Sequence, residues 1–165
     1  MPWSQKVIRS FQAIPQNPLE KEFYGPYNKL LHTLFPAGSD FMVVPQYMKA
    51  PNAGAADFIF MFEVQVERKT VFVLEIKPSS TDLVYAGRCP LPTLYGVCAV
   101  GTQLCFYALD TGDQNAYIMP LAIPRHPTRI TDTVPASRWS HHVLDTGEAK
   151  LLAVVDEIKQ GCSVL

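Results

Sequence analysis

Asp57-Phe58-Ile59-Phe60-Met61-Phe62-Glu63-Val64-Gln65-Val66-Glu67-Arg68-Lys69-Thr70-Val71-Phe72-Val73-Leu74-Glu75-Ile76-Lys77 reads as two strands and a turn. β-branched and aromatic residues fill both halves, and the polar run Glu67-Arg68-Lys69 divides them. Side chains of a strand alternate between its two faces. The even positions of the first half are Phe58, Phe60, Phe62, Val64 and Val66; those of the second include Phe72, Leu74 and Ile76. Two strongly apolar faces belong on one side of a sheet, so even faces even and odd faces odd.

Asp57, Glu75 and Lys77 are all odd. They are expected to share the other face, beside Ile59, Met61, Val71 and Val73, and a turn near Arg68 brings Asp57 level with the Glu75–Lys77 end. Charges among apolar neighbours need partners or a metal. Two carboxylates suit a hard cation such as Mg²⁺, which keeps several waters. That cation acidifies a bound water and neutralises charge on a phosphate, and a lysine beside it can orient the water or stabilise the transition state. Hydrolysis of a phosphodiester is the chemistry that wants this set. The plainer alternative is a salt-bridged trio at a sheet end.

Working outward, residues 19–35 carry a helical stripe of Leu19, Phe23, Tyr27, Leu30, Leu31 and Leu34. Gly25-Pro26 either kinks this helix or marks its true start, and Pro36-Ala37-Gly38 stops it. His32 lies beside the stripe and is expected to pack. Residues 41–48 read as a strand whose Pro45 suggests a sheet edge or a bulge. Residues 94–100 and 103–109 form a second hairpin around Gly101-Thr102, which sets Cys98 opposite Cys105, more simply a packed pair than a redox or metal site. Residues 117–119 offer one further short strand, and 120–145 are Pro-rich and irregular. The basic and histidine set Arg125, His126, Arg129, Arg138, His141 and His142 lies there and reads as a solvated loop before a phosphate grip. Residues 148–162 make a last helix with Leu151, Leu152, Val154, Val155 and Ile158 inward.

The expected organisation is a polar lead-in at 1–18 and a single domain at 19–165, a length that suits one core. No apolar run has the length of a membrane span and the N-terminus lacks a signal-peptide pattern, so an intracellular protein, cytoplasmic or nuclear and not secreted, is expected. Its four cysteines are then reduced. The ending Cys162-Ser163-Val164-Leu165 satisfies a C-a-a-X box, but no basic run precedes it and Cys162 continues the last helix. Fourteen Lys and Arg against fifteen Asp and Glu give a net charge of −1. A protein gripping nucleic acid by its backbone usually carries a basic excess, so such binding would need a local patch.

Ala56-Asp57, followed by Glu75-Ile76-Lys77, resembles the motif of the PD-(D/E)xK nuclease superfamily, the restriction-endonuclease-like fold. Longer stretches are similar to a group of uncharacterised fungal proteins with that fold: 20–31, Val73-Leu74-Glu75-Ile76-Lys77-Pro78, 89–97 and Arg138-Trp139. The resemblance covers most of the chain from residue 19. It implies an α/β (α+β) fold, a mixed sheet flanked by helices, and a Mg²⁺ or Mn²⁺ ion held by Asp57, Glu75 and the backbone carbonyl of Ile76. Lys77 would be the catalytic lysine, and Glu22 or Glu20 on the first helix could complete the metal site. The implied activity is hydrolysis of nucleic acid, DNA in preference to RNA. Ala56 stands where the motif has Pro, a position that supplies no ligand. A larger departure is the crossover after the Glu-x-Lys strand, where the family has a helix. Only residues 78–92 fill it here, room for about two helical turns. The alternatives are therefore a catalytically inactive domain of that fold, binding nucleic acid or protein, and a plain interaction domain.

Overall fold

The computed structural model of the chain describes residues 3–49, 58–76, 89–124, 126–132 and 135–165. The β2 (Phe58–Val66) and β3 (Lys69–Ile76) strands form the expected antiparallel hairpin. Phe60 opposes Ile76, Phe62 opposes Leu74 and Val64 opposes Phe72, so even does face even. The turn is tighter than expected. Lys69 belongs to the strand, and Glu67 and Arg68 alone make the reversal, with φ of 49° and 65°. Two left-handed residues give a hairpin the twist its strands require.

Near this turn the alternation slips. The register shifts between Val64 and Gln65, so Gln65 opposes Thr70 and Val71 is the extra residue. A bulge of this kind re-aims the side chains beside it. Val71, expected on the odd face, is instead wholly buried in the main core. Thr70 takes the odd face in its place, where its hydroxyl donates to Glu63.

Around the hairpin runs a six-stranded sheet in the order β1-β2-β3-β4-β5-β6, with β1 Phe41–Lys49, β4 Thr93–Val100, β5 Gln103–Asp110 and β6 His141–His142. Four of its neighbouring pairs are antiparallel; β3 and β4 run parallel. The sheet is therefore mixed. A parallel pair needs a connection that carries the chain back along the strand. That connection includes 77–88, so the expectation of a short crossover lies outside the described residues. Strand β1 lies at the sheet edge, as Pro45 suggested. The short strand expected at 117–119 reduces to one bridge between Ala108 and Met119.

Three α-helices flank the sheet among the described residues: α1 Gln5–Gln12, α2 Tyr24–Leu34 and α3 Thr146–Cys162. A 3-10 turn, Glu20–Phe23, leads into α2. Pro26 is the third residue of α2, inside the first turn, where a missing N–H breaks no helical bond. Tyr27, Leu30, Leu31 and Leu34 are buried as the stripe requires, whereas His32 is exposed and does not pack. Helix α2 meets the even face of the hairpin: Tyr24 stacks on Phe60 at 3.8 Å, and Phe35 lies 6.1 Å from Phe72. Helix α3 covers the same side, with Glu157 accepting from the Tyr95 hydroxyl and the Lys150 ammonium over the Phe106 ring.

The stretch expected as a polar lead-in is part of this core. Ser4 caps α1 by accepting from the Val7 N–H, Val7 and Phe11 are buried, and Phe11 meets the Tyr27 ring edge-on at 5.1 Å. The Trp3 indole N–H donates to the Val143 carbonyl at 2.6 Å. Two turns of helix carry too few apolar positions for periodicity to separate them from loop. No helix among the described residues is long and apolar enough to cross a membrane.

Candidate metal centre

With the described helices on the even face, the odd face of the hairpin is the opposite side of the sheet. Glu75, the last residue but one of β3, lies there, opposite Met61 on β2 and Cys98 on β4. It is 8% exposed. The Cys98 thiol donates to its Oε2 at 3.4 Å. Burial, then the charge and hydrogen bond of Glu75, then Cys105, push the Cys98 thiol well above its ordinary value, so it stays protonated as a donor. Cys105 is directly opposite Cys98, as the two-residue turn predicted, and all four cysteines are free. Tyr107, two residues along β5, has its phenol pushed up by burial first and by the neighbouring thiols, with Arg138 acting the other way.

Asp57 and Lys77 lie outside the described residues. In the sequence one directly precedes Phe58, where β2 begins, and the other directly follows Ile76, where β3 ends. Ile76 is paired on both sides, with Phe60 and Ala99, and its side chain is in the core. Glu22 and Glu20 serve the helical layer: Glu22 Oε2 accepts from the Leu19 N–H at 2.8 Å, and Glu20 Oε1 accepts from the Tyr24 hydroxyl at 2.7 Å. Tyr24 stacks on the even-face Phe60, so neither glutamate joins Glu75 on the odd face.

The reading from parity passed over Glu63. It is 3% exposed on the odd face of β2, accepting from the Thr70 hydroxyl at one oxygen and from the Gln46 amide at the other. Its signal was present, as a charge at an odd position in the middle of an apolar strand. Of the basic and histidine set, Arg125 lies outside the described residues. His126 accepts backbone N–H groups of Thr128 and Arg129, and Arg138 donates to the Leu121 carbonyl. His141 meets Phe106, and His142 accepts from the Leu144 N–H. These contacts order the loop itself.

Among the described residues no group of three His, Cys, Asp or Glu side chains is placed to hold a metal ion. What they offer at this strand end is a hard oxygen donor, nearly buried and accepting from a thiol, which suits Mg²⁺ in kind. No protein-family model, curated protein or solved structure matches the chain.

Proposed function

We propose that this chain is a metal-dependent hydrolase of phosphodiester bonds in nucleic acid, DNA in preference to RNA, with a PD-(D/E)xK-type site of Asp57, Glu75 and Lys77. It would act inside the cell, in cytoplasm or nucleus. The observation that carries the proposal is the Glu75 carboxylate, nearly buried on the odd face at the end of the hairpin that Asp57 and Lys77 adjoin in sequence. A carboxylate there is a hard oxygen donor of the kind a divalent cation such as Mg²⁺ takes. The mixed sheet, with its parallel step from β3 to β4, is in keeping with the fold the resemblance implies.

Asp57, Glu75 and the carbonyl of Ile76 would hold Mg²⁺ or Mn²⁺, which when bound supplies an acidified water and charge neutralisation at the phosphate. Lys77 would orient the attacking water and place positive charge beside the developing negative charge. Glu75, on a strand hydrogen-bonded on both sides, keeps its donor on a rigid support.

The test is cleavage of mixed DNA and RNA substrates with Mg²⁺ or Mn²⁺. Asp57→Ala and Lys77→Ala should each abolish cleavage while circular dichroism stays native. Unchanged cleavage in both variants contradicts the proposal.

A second reading is an inactive domain of the same fold that binds nucleic acid or protein, and the net charge of −1 favours its protein-binding form. Nucleic-acid binding without cleavage, insensitive to divalent cation, would select it.

A further inference from the structure

We propose that Cys98 is a positioning residue for the Glu75 carboxylate, fixing the orientation in which that group meets a divalent cation. The inference rests on the metal-site reading above and adds a residue that the motif does not contain. Cys98 sits on β4, the strand parallel to β3, directly beside Glu75. Its thiol donates to Oε2 at 3.4 Å, and the residue as a whole is partly buried. A Glu side chain has a terminal torsion that is broad and two-fold, so its carboxylate plane is poorly fixed by packing alone. The thiol is a directed donor that restricts that torsion and sets Oε2 toward β4.

The arrangement is supported from behind. Cys98 opposes Cys105 on β5, and Cys105 is 2% exposed, so the sulfur is backed by a packed neighbour. Strands β3, β4 and β5 are hydrogen-bonded side by side, which fixes the spacing of Glu75, Cys98 and Cys105 through backbone rather than through flexible side chains. A thiol is also a fitting donor for this task. It is weak enough not to neutralise the carboxylate, and Mg²⁺ has little affinity for sulfur, so the two do not compete. Groups that orient a ligating carboxylate typically change metal affinity about 10- to 100-fold when removed.

The experiment uses the full chain with Mg²⁺ or Mn²⁺ alone as probe, reading the metal-induced shift in melting temperature for wild type, Cys98→Ala and Cys98→Ser. Cys98→Ala should weaken cation binding about tenfold. Cys98→Ser keeps a donor at the same place and should restore most of that loss, which a packing defect would not explain. A second readout needs no metal. The infrared S–H stretch assigned to Cys98, by difference from Cys98→Ser, should move to higher frequency in Glu75→Gln as the bond to a charged acceptor is lost. Metal binding equal in wild type and Cys98→Ala, or an S–H band indifferent to Glu75→Gln, overturns the positioning role while leaving the metal site standing. Absence of any metal-induced shift in wild type overturns the metal site itself, and the role of Cys98 with it.

Discussion

Glu63 and Glu75 are carboxylates on one face of one hairpin, and their surroundings set them apart. Glu63 has a neutral donor on each oxygen, Thr70 on one side and Gln46 on the other. Both donors belong to the sheet and tie this carboxylate into the strand packing. Thr70→Val removes one of those donors from a buried charge. It should cost about 1–3 kcal/mol in urea denaturation, with Thr70→Ser losing much less. Glu75 has a thiol at one oxygen and lies at the strand end that the two other charged candidates adjoin in sequence. Its face was legible because Phe60, Phe62, Phe72 and Leu74 leave one choice of pairing. Val71 was misread because alternation holds only while the register does, and nothing in Lys69-Thr70-Val71 announces a bulge. Glu63 is harder to place from sequence, because an odd-position carboxylate within an apolar strand has the same parity whether sheet neighbours or a cation meet it.

At the scale of elements, the β2–β3 turn is made by Glu67 and Arg68, both at positive φ, where residues with a Cβ are disfavoured. Replacing them with Asn and Gly should stabilise the protein by about 1 kcal/mol, read as a higher urea midpoint at unchanged slope. Helix α1 makes the opposite kind of claim, that residues before 19 belong to the core. Phe11→Ala should cost about 3–5 kcal/mol in urea denaturation, where a lead-in would tolerate it. The longer elements were readable, since the stripe of α2, the Cys98–Cys105 register and the inward set of α3 all follow from period and turn chemistry. Strand β6 was not, because two residues, His141 and His142, have no period, and their strand exists only because β5 offers an edge. Where β6 meets α3, burial and then the Lys150 charge hold His141 below its ordinary 6.5. The folded state thus resists protonation more than the unfolded chain does. That contribution to stability is whole above pH 6.5 and is lost as the pH falls through the lowered folded value. Lys150→Gln removes the second cause, and NMR titration should then find the His141 pKa moved up.

Across the described residues, one sheet presents two different faces. Its even face is sealed by α2 and α3, with α1 packed behind α2, into one apolar cluster. Its odd face carries the buried polar groups Glu63, Thr70 and Glu75. The balance of charge across the chain offers no broad attraction for a polyanion, so substrate binding would depend on the cation and a few local groups. The account therefore rises or falls on where a divalent cation sits. Mn²⁺, added in small amounts to isotope-labelled protein, broadens NMR signals of nearby amides. The account expects the broadening to centre on Met61, Glu75 and Cys98, and to spare the Glu67–Arg68 turn, about 20 Å away along the strand at the usual rise per residue. It also expects the effect to vanish in Glu75→Gln. Broadening centred elsewhere, or unchanged in that variant, would contradict it.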